Sequence, residues 1–271
     1  MQDGMGMSAQ AFLPMYALPE MAAANDALWQ VLRSQVPGLP EQLSPAPAGL
    51  PEAISPEIVF SQMCGYPLMR KYGGQYVLLG TPLYNLPGCA VRPDGVPTHC
   101  SFIVVAKDAG FEHLADLRGR RFVVNGFDSN SGMNLPRRLI AEIAGREPFF
   151  SSVPVTGGHV ASMAAVAAGK ADAAAIDCVT YGFCAAYKPE SVSGLRILAE
   201  TPSSPAIPFI SSIGTPPDAV EALRAALQSP QLRPALAGLR ITKVTTTPPA
   251  AYETVLGFEH EAAELGYPAL A

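Results

Sequence analysis

The sequence predicts an α/β fold, and three observations carry that prediction. Short apolar runs rich in Val, Ile and Phe alternate with Ala/Leu-rich stretches almost throughout, as strands alternate with helices in largely parallel sheets. The 271 residues are 49% hydrophobic and 15% charged, enough to build a sizeable core in one large domain or two small ones. The apolar runs are short and broken by charges such as Lys170 and Asp172, so none can span a bilayer.

Strands are predicted over residues 11–15, 57–61, 76–80, 102–106, 121–125, 152–155, 173–176, 196–198 and 209–212, with helices between most of them. Pro19 and Glu20 open a helix whose Met21, Leu28, Trp29, Leu32 and Val36 share a buried side, and proline is preset for a first helical position. Proline and glycine are dense over 37–56, a surface connection, and over 82–97, just before the strand at 102–106. A second proline group, Pro202, Pro205 and Pro208, precedes the strand at 209–212. Two strands entered through stiff loops suggest paired crossings between two lobes, with residues 1–102 and 206–271 in lobe one and 103–205 in lobe two. The tail from 215 to 271 reads as helices starting at Pro216, Ser229 and Thr247.

A formal charge of -5 and the lack of a Lys/Arg cluster argue against a nucleic-acid partner, which requires a basic surface to neutralise phosphates. Arg118, Arg120, Arg121, Arg137 and Arg138 are the densest basic spots and read as a solvated face. The five cysteines, Cys64, Cys89, Cys100, Cys178 and Cys184, have irregular spacing and no Cys-x-x-Cys pair, so no zinc site is expected. Cys89 and Cys100 flank a Pro/Gly-rich loop and could be bridged in an oxidising compartment. Residues 1–10 show neither the basic start nor the apolar core of a signal peptide.

The most informative stretch is 121–144. Phe122, Val123 and Val124 form a β-run that enters the polar turn Asp128-Ser129-Asn130-Ser131-Gly132, and Leu135, Leu139, Ile140 and Ile143 then fall at helical spacing. The first N–H groups of a helix lack internal partners and carry partial positive charge, so such a turn can cradle an anion. Ser129 and Ser131 add hydroxyls, and Gly132 admits close approach. An ordinary N-cap cluster has the same composition, so residue types alone leave both readings open.

Several motifs occur together in order: Met15-Tyr16-Ala17-Leu18-Pro19-Glu20, Ser61-Gln62-Met63-Cys64-Gly65-Tyr66-Pro67, Ser101-Phe102-Ile103-Val104-Val105-Ala106, Leu114-Ala115-Asp116-Leu117-Arg118-Gly119-Arg120-Arg121, Ser129-Asn130-Ser131-Gly132, Thr156-Gly157-Gly158-His159, and Gly169-Lys170-Ala171-Asp172-Ala173-Ala174-Ala175-Ile176-Asp177. With this set, which spans most of its length, the chain resembles the phosphate/phosphonate-type periplasmic substrate-binding proteins of ABC transporters. The resemblance implies a two-lobed, type II periplasmic-binding-protein-like α/β fold with mixed or parallel sheets and a ligand held in a cleft between the lobes. By analogy the ligand positions are Tyr16, Tyr66, Ser129, Asn130, Ser131, Gly132, His159 and Asp177, with Tyr181 added as a further candidate. His99-Cys100-Ser101 replaces the Tyr-Arg-Ser that relatives often show before the lobe-crossing strand, which puts a contact from that hinge in doubt.

The implied ligand is a small oxyanion such as phosphate, phosphite or a phosphonate, and the implied partner is a membrane permease. No cofactor, metal or catalytic residue is expected, and the chain is read as a monomer. The implied location is periplasmic, a cytoplasmic one staying open because no signal peptide is visible.

Each candidate also has a structural role to play. His159 can donate to an oxyanion or simply begin a helix exposed to water. Asp177 ends a strand, where it can pair with a ligand's acidic O–H or amino group, or cap the following helix. Tyr16 and Tyr66 follow the first two strands and can wall a cleft or pack an interface, and Tyr84 is a weaker choice in a proline-rich loop. Two other functions compete: a binding module that senses its ligand, and an enzyme using Cys64, His159 and Asp177. Against the enzyme, no basic neighbour or helix N-terminus beside Cys64 is evident to lower its pKa, and neither a Gly-x-Ser-x-Gly elbow nor a P-loop occurs.

Overall fold

The computed structural model describes residues 9–45 and 57–271. Most of the 1–10 stretch read for a signal peptide, and residues 46–56 of the proline-rich connection, lie outside the described residues. In chain order the elements begin β1 (Gln10–Ala11), α1 (Ala22–Gln35), β2 (Ile58–Gln62), α2 (Gly65–Arg70), β3 (Tyr76–Tyr84), β4 (Ala90–Val91), β5 (Pro97–His99), β6 (Ser101–Ala106) and β7 (Phe122–Val123). They continue with α3 (Leu135–Ala144), α4 (His159–Ala167), β8 (Ala173–Asp177), α5 (Cys178–Tyr187), β9 (Leu195–Glu200), β10 (Ser204–Pro205) and β11 (Phe209–Ser212). The last are α6 (Pro217–Leu227), α7 (Arg233–Gly238), β12 (Ile241–Thr245) and α8 (Glu253–Glu264).

The chain forms two compact units. The first comprises the described parts of Met1–Asn85, together with Ala90–Pro97 and Ala206–Ala251. Its sheet has the order β1-β2-β11-β3-β12. Helix α1 buries Leu28, Trp29 and Leu32 at the spacing of one helical face, flanked by buried Met21 and Val36, as the sequence predicts. Trp29 meets Phe60 at 5.6 Å, and Phe60 stacks on Phe209 at 5.2 Å, which ties α1 to the sheet through aromatic contacts.

The second unit comprises Leu86–Cys89, Thr98–Pro205 and Tyr252–Ala271. Its sheet runs β7-β8-β6-β9. Residues 101–105 of β6 and all of β8 are buried, as expected of central strands covered on both faces. Strands β5 and β10 pair antiparallel to each other, with His99 opposite Ser204.

Four expectations differ from the structure. The sheets are mixed rather than largely parallel: β1–β2 and β7–β8 are parallel, whereas β11 is antiparallel to β2 and β3, and β6 is antiparallel to β8 and β9. A buried apolar run reads the same in either direction, so periodicity leaves pairing sense open. The tail is not all helical, because Ile241–Thr245 is a strand antiparallel to β3. Residues 252–271 also group with the second unit rather than with lobe one: Asn134 Nδ2 donates to Val255 O at 2.9 Å, and Arg137 Nη1 donates to Pro268 O at 3.1 Å. Arg137 is accordingly 4% exposed and donates to Asn134 Oδ1, not part of a solvated face.

Candidate functional site

Two strand-to-helix turns of the second unit lie side by side because the extended segments that feed them are neighbours. Arg121 bridges Ser152 and Val124 bridges Val155, both parallel. Thr156 N donates to Val124 O at 2.8 Å and Gly157 N to Asn125 O at 3.1 Å, so the second turn is bonded to the base of the first. Gly157 sits at φ +88°, a conformation that favours glycine, and this redirects the chain into α4 with His159 at its first position.

The first turn opens with Ser129 as N-cap, its Oγ accepting from Gly132 N at 2.9 Å. Residues Asn130–Asn134 then form a π-helical turn, closed by Asn134 N donating to Ser129 O at 3.0 Å, before α3 continues. A π-turn widens the helix start, and such turns are frequent at functional sites. Gly132 makes room for a close approach: a Cβ there would stand 1.7 Å from Asn125 Oδ1, a buried acceptor with no hydrogen-bond partner, and would force that side chain to move. Sequence reasoning missed Asn125, although it ends the same β-run.

The two turns meet at Ser131 and His159. Ser131 Oγ and His159 Nε2 share a hydrogen bond of 2.9 Å. Ser101 Oγ donates to Ser131 O at 2.7 Å and fixes the turn from the buried strand β6. The His159 ring turns Nδ1 toward the Ala175 backbone without a hydrogen bond of regular geometry. Burial holds the His159 pKa below its ordinary 6.5, against the opposing pull of Asp177. The neutral ring with its proton on Nδ1 accepts from the Ser131 hydroxyl, and a protonated ring would donate from Nε2.

Asp177 caps α5, its Oδ1 accepting from Val179 N at 2.9 Å and Thr180 N at 3.1 Å. Its Oδ2 lies 2.8 Å from His99 Nδ1, with both side chains 2% exposed. Burial pushes the Asp177 pKa up, but His99 in particular, with His159 and the capping N–H groups, brings it below the ordinary carboxylate value. His99 was seen in the sequence only as a departure from the family pattern. Nothing local signals that it meets a carboxylate 78 residues away.

Ser129, Asn130, Ser131, Gly132, His159 and Asp177 are thus gathered in one unit. The Asn130 side chain is 1% exposed and internally engaged, donating to Ser204 Oγ at 2.8 Å and accepting from Asn134 at 2.9 Å. Tyr181, on α5, meets Phe102 edge-on at 5.4 Å. Tyr16 and Tyr66 belong to the first unit. Tyr16 packs edge-on against Tyr84 at 5.4 Å, and the Tyr66 hydroxyl accepts from Arg70 Nη1 at 2.6 Å with the residue 1% exposed. Cys64, contrary to the sequence reading, does stand at a helix N-terminus, as N-cap of the short α2. It lies in the first unit, whereas His159 and Asp177 lie in the second. Among the described residues no group of His, Cys, Asp and Glu is arranged to hold a metal, and no helix is long and apolar enough to cross a membrane.

The fold is that of the two-lobed periplasmic binding proteins. A binding protein component of an ABC phosphonate transporter from Pseudomonas aeruginosa superposes with a TM-score of 0.74 at 14% identity, over 95% of this chain and 87% of that one. PhnD1 from Prochlorococcus marinus, solved in complex with methylphosphonate, gives 0.72 at 13% identity over 94% and 98%. XAC2383 from Xanthomonas citri, bound to chloride ion, gives 0.66 at 16% identity over 95% and 98%. No curated protein matches the chain in sequence. These likenesses define the fold alone. Residues 11–252 match the family of ABC transporter, phosphonate, periplasmic substrate-binding proteins, and the chain belongs to that family.

Proposed function

We propose that the chain captures a small tetrahedral oxyanion, phosphate, phosphite or a simple phosphonate, and hands it to an ABC-type permease from the periplasm. The observation that carries this reading is the Ser131–His159 pair, where a hydroxyl and an imidazole from two helix starts meet at 2.9 Å. A site built from such donors can hold an anion reversibly, each charge-assisted hydrogen bond contributing about 1.5–3 kcal/mol. The ligand positions are proposed as Ser129, Ser131, Gly132 and His159 from the second unit, with Asn130 serving through its backbone. Tyr16 and Tyr66 are proposed to contribute from the first unit, and Tyr181 to add an aromatic wall. No turnover is proposed.

Asp177 refines the ligand class. Both of its oxygens are engaged, with His99 and with the start of α5, which leaves it little capacity for a ligand's ammonium group. The preferred ligand therefore carries no amino group. A thermal-shift panel of phosphate, phosphite, methylphosphonate, aminoethylphosphonate and sulfate tests this. A ligand at a hundredfold excess over its Kd adds about 2.7 kcal/mol of stability. Stabilisation by phosphite or methylphosphonate but not by aminoethylphosphonate supports the reading, and stabilisation by aminoethylphosphonate alone contradicts it.

A further inference from the structure

All five cysteines are thiols, and three of them, Cys89, Cys100 and Cys178, gather in the second unit. Cys89 Sγ and Cys178 Sγ lie 3.6 Å apart, whereas the bridge the sequence left open was one from Cys89 to Cys100. Cys100 is a cross-strand neighbour of Cys178, with Cys178 N donating to Cys100 O at 3.1 Å. The loop that delivers Cys89 is closely fitted to this place. Gly88, at φ +80°, would put a Cβ 2.8 Å from both Cys100 Sγ and Cys178 Cβ, and Leu86 packs so tightly on Gly182 of α5 that a Cβ there would meet it at 2.9 Å. The three thiols are not part of any metal-holding group among the described residues.

We propose that Cys89 and Cys178 form an intramolecular disulfide, a modification site that the ligand-binding role does not require. The chemistry needs a disulfide oxidant, such as oxidised glutathione or a protein dithiol oxidase, of the kind found where secreted proteins fold. Cys89 is partly exposed, whereas Cys100 and Cys178 are 1% and 0% exposed, so the oxidant reaches Cys89 first. The Cys89 thiolate attacks one sulfur of the oxidant, forming a mixed disulfide and releasing one thiolate. Cys178 then gives up its proton and attacks Cys89 Sγ, expelling the second thiolate. Two protein thiols lose two electrons and two protons, and the oxidant's disulfide becomes two thiols. Cys178 rather than Cys100 makes the second attack because its Sγ is the one that lies 3.6 Å from Cys89 Sγ.

The bridge would close a loop of 89 positions and pin Leu86–Cys89 to the first residue of α5, so the oxidised protein should melt at a higher temperature than the reduced one. The test oxidises the full chain with glutathione disulfide, quenches in acid, alkylates under denaturing conditions and maps the peptides without reduction. The expected result is three alkylated cysteines and one cross-linked peptide joining Cys89 to Cys178. Cys89→Ser should abolish the cross-link and Cys64→Ser should leave it intact. Retention of five alkylatable thiols, a Cys89–glutathione adduct that goes no further, or a bridge from Cys100 to Cys178 would each overturn the proposal. Ligand binding is read separately, so failure here leaves the oxyanion reading untouched.

Discussion

Ser131 and His159 are 28 residues apart in sequence, yet their side chains share a hydrogen bond of 2.9 Å because two parallel extended segments end at the same level. Each residue begins a helical segment, and each is oriented by a bond from behind or below: Ser101 to Ser131 O, and Thr156 N to Val124 O at the base of the His159 turn. The account predicts consequences for the packing of this pair as well as for its chemistry.

Gly132→Ala should destroy ligand binding and destabilise the protein, since the added methyl would overlap Asn125 Oδ1. Overpacking of this kind costs about 1–3 kcal/mol. Adding Asn125→Ala should restore much of the stability by removing the obstructing oxygen. A denaturant double-mutant cycle measures this, and additive effects of the two substitutions would show that the contact does not govern the turn.

His99→Ala leaves the buried Asp177 carboxylate without its hydrogen-bonded partner. Breaking a buried pair from one side costs about 3–5 kcal/mol, so a large drop in urea midpoint is expected. Asp177→Asn, which retains an oxygen to cap α5, should cost less. Equal losses would show that removing His99 is no worse than neutralising the carboxylate, against the account of a buried charge left unpaired.

Stability should fall with acid in two stages. His159 has a lowered pKa, so the unfolded chain binds its proton first, and stability present above the ordinary 6.5 is lost as pH falls below that value toward the folded pKa. Asp177 is also lowered, so its contribution persists until pH falls below the ordinary carboxylate value of 3.8. Thermal melts from pH 8 to 2 should therefore show a decline beginning near 6.5 that His159→Gln flattens, and a second below 3.8. An unchanged profile in that variant would assign the decline to other groups.

Tyr76→Phe should stabilise the first unit. The Tyr76 hydroxyl is buried without a hydrogen-bond partner, and burial together with the nearby Tyr72 raises its pKa to about 12. Its ring sits in the cluster of Phe12, Ile58, Met63, Leu68, Tyr72 and Ile210, which a phenylalanine would keep. An unsatisfied buried polar group costs about 1–3 kcal/mol, so the melting temperature should rise by several degrees. A fall would indicate that the hydroxyl is satisfied in solution.

Much of this arrangement was legible in the sequence. The strand, turn and helix over 121–144 could be read because a β-run, a cap cluster and a 3.6-residue period follow one another in a short window. His159 was placed by its Thr-Gly-Gly lead-in together with the family resemblance. The π-turn was not legible, because one extra residue in the first helical turn leaves no trace in periodicity. The His99–Asp177 pair was hidden because a side-chain contact across 78 residues depends on the register between β6 and β8. The C-terminal helix was placed in the wrong unit for a related reason. Its apolar spacing says that it must pack, and only partners such as Asn134 say against what.

Isothermal titration of methylphosphonate into the wild-type chain and into Ser131→Ala and His159→Ala variants tests the central claim most directly. Loss of one charge-assisted bond of about 1.5–3 kcal/mol predicts affinity lowered roughly 10- to 150-fold in each variant, with one ligand per wild-type chain. Wild-type affinity retained in both variants would contradict the assignment of the anion to these paired turns.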